Sequence, residues 1–183
     1  MRKLLPFLAI SAALVSSVAY SQEDNKMYLE VGYAHTKIEE TGAFSENTGI
    51  AAVRFGYNFT KNFAAEAFVA TGLDSAKVDV DVPGVGIVTA DIKVDSAYGF
   101  YLKGKVEVAD GFELFAKPGY VHAKVKVSAL GLSDSTSDDS FSWAVGGQYN
   151  FTDRIYGQID YASYYDKSGD KVSGPSISIG FKF

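Results

Sequence analysis

The stretch VRFGYNFTKNFAAEAF, residues 53–68, holds two runs in which apolar side chains alternate with other side chains around a short polar turn. Val53, Phe55 and Tyr57 share one face of the first run, and the second run resumes the alternation after residues 60–62. A period of two residues is that of a β-strand, because successive side chains of a strand point to opposite faces. The stretch therefore predicts a β-hairpin with one strongly apolar face.

Similar alternating segments lie on both sides of this hairpin, and its turn sequence YNFTKNF at 57–63 returns as YNFTDRI at 149–155. The sequence predicts eight strands, at about 27–36, 50–59, 63–70, 96–108, 112–120, 143–151, 155–165 and 177–183. Three short turns, 60–62, 109–111 and 152–154, alternate with four long polar links, about 39–49, 73–95, 126–140 and 166–174. The longest link alternates on both sides of Pro83, which predicts a hairpin projecting outward.

Short turns at one end and long loops at the other are the layout of an outer-membrane barrel. The expected fold is therefore all-β, an eight-stranded antiparallel up-and-down transmembrane β-barrel with four extracellular loops. Aromatic residues gather near the strand ends, as membrane interfaces favour. Such aromatic residues would form a girdle at each membrane interface. The residues expected in these girdles are Tyr28, Tyr57, Phe59, Phe63, Phe112, Tyr149, Phe151 and Phe183.

The composition of the 183-residue chain narrows the class of protein. With 12 Tyr and 13 Phe against 1 Trp, it favours strands. A net charge of -5 without a basic run lacks the positive surface that nucleic acid requires, so no nucleic-acid partner is expected. The sequence contains no cysteine, which excludes disulfides, thiolate nucleophiles and Cys-ligated zinc.

The first residues have the pattern of an export signal. Arg2 and Lys3 form a basic segment, an apolar run follows over 4–15, and small residues come next. Cleavage after Ala19 or after Ser21 satisfies the small-x-small rule, and an uncleaved inner-membrane anchor is the alternative. The expected division is a signal peptide over 1–21 and an outer-membrane β-barrel domain over 22–183.

The strand face opposite the large apolar residues suits the crowded interior of a narrow barrel, because it mixes small, aromatic and charged residues. The charged residues expected near mid-depth are Glu30, Arg54, Glu66, Lys103, Lys117 and Asp160. Charges in so confined a space must be paired, because an unpaired buried charge is strongly destabilising. Arg54 and Glu66 lie nearly symmetrically about the first turn. We therefore expect these two residues to be opposite or diagonal neighbours across the hairpin and to stabilise each other. We interpret the network as a structural plug, and a gated ion path is the alternative.

Five stretches of the chain match a known pattern in their order and spacing. They are MYLEVGYAHT at 27–36, VRFGYNFTKNFAAEAF at 53–68, YGFYLKGKVEVADGFELFAKPGYVHAK at 98–124, WAVGGQYNFTDRIYGQIDYASYY at 143–165 and SISIGFKF at 176–183. Together they resemble the OmpA/OmpX/Ail-like family of small outer-membrane β-barrel proteins. The resemblance implies a barrel in the outer membrane of a Gram-negative bacterium with both termini in the periplasm. A periplasmic peptidoglycan-binding role is not expected, because no such domain follows the barrel pattern.

The resemblance also carries expectations about assembly, partners and function. The alternating residues Ile177, Ile179, Phe181 and Phe183 are similar to the C-terminal signal that such barrels present to the barrel assembly machinery. Further implied partners are periplasmic chaperones, outer-membrane lipid, lipopolysaccharide and a host or surface ligand bound through the loops. The implied function is non-catalytic, in envelope structure or surface adhesion, and a narrow porin-like channel for small solutes is the alternative.

A lipid-modifying enzyme is the third function considered, and it depends on the two histidines. His35 and His122 fall on the lipid-facing side of their strands, and Ser128 is a candidate nucleophile for His122. An acyl hydrolase needs its nucleophile and base within hydrogen-bond reach, so we interpret both histidines as interfacial residues and expect no catalytic residue or cofactor. The acidic loop residues match no EF-hand spacing, so no metal site is expected. A weak divalent-cation site shared with lipopolysaccharide phosphates is a further hypothesis.

Overall fold

The computed structural model of the chain describes residues 26–40, 44–82, 86–129, 132–167 and 170–183. Its strands are β1 Met27–Glu40, β2 Phe44–Asn58, β3 Phe63–Gly72, β4 Ala76–Val82, β5 Gly86–Ala109, β6 Phe112–Ala129, β7 Leu132–Asn150, β8 Ile155–Lys167 and β9 Asp170–Lys182. No helix in the described ranges is long and apolar enough to cross a membrane. The expected signal peptide over 1–21 lies outside the described residues.

The strands form one antiparallel sheet that closes on itself. β1 pairs with β2 on one side and with β9 on the other, and β3 pairs with both β2 and β5. The pairing continues from β5 through β6, β7 and β8 to β9. These eight strands make a closed ring without an open edge, so the expected eight-stranded up-and-down barrel is confirmed.

β4 stands outside this ring. It pairs with the first part of β5, from Ala76 opposite Ile92 to Val82 opposite Gly86. The 24-residue β5 therefore pairs with β4 beyond the barrel and with β3 within it. The predicted hairpin within 73–95 is confirmed, and its tip at 83–85 lies outside the described residues.

The long polar links are shorter than the sequence predicted. β2 begins at Phe44, β7 at Leu132 and β9 at Asp170, and each pairs with its neighbour from its first residue. The assignment of 39–49, 126–140 and 166–174 to loops was therefore wrong over most of their length. Where a strand leaves the membrane, neither face has to be apolar, so the alternation that marks the strand in the sequence disappears although backbone pairing continues.

The outside of the ring is an apolar band between two aromatic girdles. Phe100 is 58% exposed and Ile159 is 64% exposed, which lipid rather than water would accommodate. The girdle at the short-turn end contains Tyr57, Phe59, Phe63, Phe112, Tyr149 and Phe151, and the girdle at the long-hairpin end contains Tyr33, Tyr98, Tyr120, Phe141, Trp143 and Tyr161. Tyr28 does not belong to a girdle as the sequence suggested, because it is buried inside the ring.

Candidate functional site

The structure places all six charged residues that the sequence assigned to the interior inside the ring, with exposed fractions from 0% for Glu30 to 7% for Asp160. They are surrounded by polar side chains that the sequence analysis did not assign to the interior network. We call the whole set the charged layer, and its members are Glu30, Arg54, Glu66, Lys103, Lys117, Asp160, Tyr28, Tyr156, Gln148 and Gln158.

Glu30 and Arg54 form the first ion pair of the charged layer. They lie directly opposite each other on β1 and β2, and Arg54 Nη1 donates to Glu30 Oε1 over 2.6 Å. The second carboxylate oxygen of Glu30 accepts a hydrogen bond of 3.1 Å from the Tyr156 hydroxyl. Both oxygens of this buried carboxylate are therefore satisfied, as a buried charge requires.

Glu66 is the centre of a second group, and its direct partners are Lys117, Tyr28 and Lys103. Lys117 Nζ donates to Glu66 Oε2 over 3.0 Å, and the Tyr28 hydroxyl donates to Oε1 over 2.8 Å. Lys103 Nζ lies 3.7 Å from Oε1. Arg54 faces Phe68 across the hairpin, so it is a diagonal neighbour of Glu66, which is one of the two positions that the sequence predicted, and its direct ion-pair partner is Glu30. Diagonal positions are several ångströms farther apart than the directly opposite position that Glu30 occupies.

Lys103 links the two groups through amides and aromatic rings. Its Nζ donates to Gln148 Oε1 over 2.8 Å and to Gln158 Oε1 over 2.9 Å. The same Nζ lies 4.6 Å from the centre of the Phe115 ring, which is a cation–π distance. The ammonium group thus has oxygen acceptors and a π face in place of water.

Asp160 joins the charged layer without a direct cation. Gln158 Nε2 donates to its Oδ2 over 2.9 Å, and Ser176 Oγ donates to its Oδ1 over 2.8 Å. Among the described residues no Lys or Arg nitrogen lies within 4.0 Å of this carboxylate. The Asp160 carboxylate is therefore satisfied by neutral hydrogen-bond donors, whereas the Glu66 carboxylate is satisfied mainly by lysines.

Sequence reasoning missed Tyr28, Tyr156, Gln148 and Gln158, although a signal for them was present. Tyr28 lies two residues before Glu30, and Gln158 lies two residues before Asp160. The two-residue period that places the charges inside places these residues inside as well. Proximity to a strand end had suggested a girdle position for Tyr28, but strand parity decides the face.

Tyr28 and Tyr156 occupy equivalent positions, each with its ring over a glycine of a neighbouring strand. A Cβ atom built on Gly56 would overlap the ring of Tyr28, and one built on Gly180 would overlap the ring of Tyr156. The two rings meet edge to face with centroids 6.0 Å apart. The glycines are therefore needed to seat the tyrosines that donate to Glu30 and Glu66.

We expect Gly180→Ala to lower the free energy of unfolding by about 1–3 kcal/mol, because the added methyl group displaces the ring of Tyr156. Urea unfolding in lipid vesicles, followed by gel mobility, measures the change. Gly104→Ala is the matched control, since its new Cβ would have no neighbour closer than 3.7 Å. Equal stability of the two variants would contradict the seating of Tyr156 on Gly180.

The charged layer separates two cavities of the lumen. A cavity of about 330 Å³, which we call the chamber, occupies the half nearer the long hairpins, and Arg54 lines its floor. A second cavity at the short-turn end is lined by polar residues that include Asn58, Lys105, Glu113 and Lys182. Between the cavities, buried side chains of the charged layer occupy the cross-section of the ring.

Asp138 marks the outer rim of the chamber. It accepts hydrogen bonds from Lys167 Nζ at 3.0 Å and from the Tyr165 hydroxyl at 2.8 Å. These two bonds lower the pKa of Asp138 to about 2, so its carboxylate stays charged at all ordinary pH values. The contacts also join the outer parts of β7 and β8.

The histidines lie on the outer face of the barrel. His122 Nδ1 lies 2.8 Å from Asp139 Oδ1, and its ring centre lies 4.9 Å from that of Tyr98. Ser128 lies six positions along the same strand from His122, a separation of about 20 Å at roughly 3.3 Å per residue, so the two cannot act together. Within the described ranges, no group of three or more His, Asp or Glu side chains could hold a metal ion.

A closed antiparallel ring with an apolar outside, two aromatic girdles and a charge-paired interior defines an integral outer-membrane β-barrel protein. Residues 6–183 match the family model described as outer membrane protein beta-barrel domain, and the chain belongs to this family. A comparison with curated protein sequences gives no match.

Solved structures with the same fold include Ail, the attachment invasion locus protein of Yersinia pestis, at 19% identity and a TM-score of 0.62, covering 86% of this chain and 98% of Ail. Neisserial surface protein A is similar at 13% identity and a TM-score of 0.69, covering 86% of this chain and 97% of that protein. OprG from Pseudomonas aeruginosa is similar at 16% identity and a TM-score of 0.53, covering 86% of this chain and 96% of OprG. At these identities the similarity establishes the fold.

Proposed function

We propose that the protein is a non-catalytic component of the outer membrane whose extracellular hairpins bind an anionic surface ligand. In this proposal residues 1–21 are a signal peptide, and the termini and short turns lie in the periplasm. The observation that carries the proposal is the continuation of paired strands beyond the apolar band, with lysines on their outer face.

The hairpins extend far beyond the aromatic girdle. β6 passes the girdle at Tyr120 and continues to Ala129, and every one of these residues has a partner on β7. Nine further residues correspond to about 30 Å along the strand. A hydrogen-bonded ribbon holds its side chains in place, which lowers the entropic cost of binding compared with a mobile loop.

Three lysines on the outer face of β5 and β6 form what we call the lysine ridge. Lys93 lies directly opposite Lys126, and Lys124 lies opposite Ser96. Like charges directly opposite each other in a ladder are destabilising unless an anion neutralises them. Among the described residues, no carboxylate lies within 4.0 Å of the ammonium groups of the ridge. The ridge is therefore available to an anionic partner.

Lipopolysaccharide is the partner that its position favours. The ridge lies on the membrane side of the hairpins, just beyond the Tyr98 and Tyr120 girdle, where lipid phosphates are expected. Ail was solved in complex with the heparin analogue sucrose octasulfate, a polyanion. That relative supports an anionic ligand for this surface as well. Adhesion to a sulfated host polysaccharide would depend on the same positive charge of the lysine ridge.

Replacing Lys93, Lys124 and Lys126 together with Gln should remove most of the stabilisation that lipopolysaccharide gives the barrel. The expected result is that nanodiscs containing lipopolysaccharide raise the thermal midpoint of the unmodified protein but not that of the triple variant. A matched control replaces Lys26, Lys61 and Arg154 with Gln, since these exposed cations lie at the short-turn end. If lipopolysaccharide stabilises all three proteins equally, the ridge is not its site.

The charged layer argues against the porin-like alternative. Its six charged groups are at most 7% exposed, and their partners fill the ring between the chamber and the second cavity. A solute or ion crossing the barrel would have to break these contacts. The enzyme alternative has less support, because the His122 ring contacts Asp139 on the outer face while Ser128 lies far along the strand.

A further inference from the structure

The chamber differs in character from the layer below it. Inward side chains from all eight strands of the ring contribute to its wall, so it is a true part of the lumen. Its wall is mainly apolar, with residues such as Phe68, Val94, Val121 and Val125. Its volume of about 330 Å³ lies at the lower end of the range of ligand sites, roughly 300–1,000 Å³.

The space exists because one wall of the chamber is built from alanine. Ala52 lies opposite Ala70, Ala70 opposite Ala97, and Ala97 opposite Ala123, on four consecutive strands of the ring. Below the alanines, Phe68, Tyr101 and Val121 pack together, and the charged layer beneath them is filled by Tyr, Gln, Lys and Arg side chains. If the lumen only had to be closed, large side chains could also fill it at the level of these alanines. Small residues at this level leave room for another molecule.

The polarity of the chamber changes along its axis. The wall is apolar, whereas Glu39, Asp138 and Lys171 stand at the outer rim. At the floor, the charge of Arg54 is already balanced by Glu30 at 2.6 Å, so a second anion there is not favoured. An apolar cavity offers water few hydrogen-bond partners and accepts apolar molecules. The gradient therefore fits a molecule with an uncharged tail pointing inward and a polar head at the rim.

We infer that the chamber binds the alkyl chain of a small amphiphile, whose polar head remains at the charged rim. This binding site is separate from the lysine ridge, which lies on the outer face of the barrel. The charged layer closes the chamber below, so the barrel holds such a molecule and does not pass it through the ring.

Alanine methyl NMR of the full barrel in lipid nanodiscs tests this inference, with decan-1-ol as the probe. We expect saturable shifts of the methyl signals of Ala52, Ala70, Ala97 and Ala123. The lipid-facing alanines report probe that only dissolves in the bilayer; they are Ala65, Ala67 and Ala116. Their methyl signals should shift in proportion to the probe concentration without saturation. Chamber methyls that follow the same linear course would overturn the inference.

Two phenylalanine variants on the same strand test whether the saturable binding site is the chamber. Ala70→Phe fills the chamber. We expect it to weaken the apparent affinity for decan-1-ol, as measured from the saturable shifts of Ala52 and Ala123, by at least tenfold. Ala67→Phe adds the same ring to the lipid-facing side of the same strand and should leave these shifts unchanged. Ala97→Leu is a smaller filling variant to use if Ala70→Phe does not fold. Saturable binding that survives in the filled variants would locate the probe elsewhere and reject the chamber as its site.

Discussion

Replacing Glu66 with Met should lower the free energy of unfolding by about 3–5 kcal/mol, the loss expected when one partner of a buried ion pair is removed. Met keeps most of the volume, so the loss reports charge more than packing. The variant leaves Lys117 without its carboxylate at 3.0 Å, removes the carboxylate 3.7 Å from Lys103, and deprives the Tyr28 hydroxyl of its acceptor. Equilibrium urea unfolding in lipid vesicles measures the loss.

The double variant Glu66→Met, Lys117→Met should be more stable than the single variant. It removes one acid and one base, so the charged layer stays balanced, and Lys103 keeps its acceptors on Gln148 and Gln158. Glu107→Gln is a control, since this carboxylate is exposed. A single variant as stable as the unmodified protein, or a double variant that loses the sum of both effects, would contradict the assignment of Lys117 as the partner of Glu66.

Deleting Phe183 should reduce the amount of folded protein in the outer membrane of cells several-fold, while refolding in detergent continues. The resemblance of the last strand to an assembly signal motivates this prediction. In the finished barrel Phe183 contributes hydrogen bonds of 2.8 Å and 3.2 Å with the backbone of Met27, and its ring lies 6.4 Å from those of Phe55 and Phe181. Each such hydrogen bond is worth only about 0.5–1.5 kcal/mol.

Two further variants separate recognition from packing. Phe183→Ala keeps both backbone hydrogen bonds and should show the same defect in cells as the deletion. Phe151→Ala removes an exposed aromatic residue from the girdle at the short-turn end and should assemble normally. The heat-dependent gel shift in cell envelopes and after refolding measures folded barrel. Normal yields in cells would remove the case for an assembly signal at Phe183, and failure in detergent as well would assign the residue to folding itself.

The part of the fold inside the membrane could be predicted from the sequence because lipid imposes a strict rule on every strand. Phe55, Phe100 and Ile159 must face lipid, so the two-residue period alone assigns the faces of their strands. The same period sends Glu30, Arg54 and Lys103 inward. Beyond the membrane the rule no longer applies, and the starts of β2, β7 and β9 could not be found from alternation.

By itself, then, the sequence determined the eight strands of the ring, their order and the face on which most side chains of their membrane-spanning parts lie, because these follow from local periodicity and from the turns. Only the tertiary structure decided which charges meet. Glu66 on β3 and Lys117 on β6 are 51 residues apart, and their contact depends on the register of every strand between them. The chamber likewise exists only when eight strands close into a ring, because a cavity belongs to the space between strands and not to any one of them.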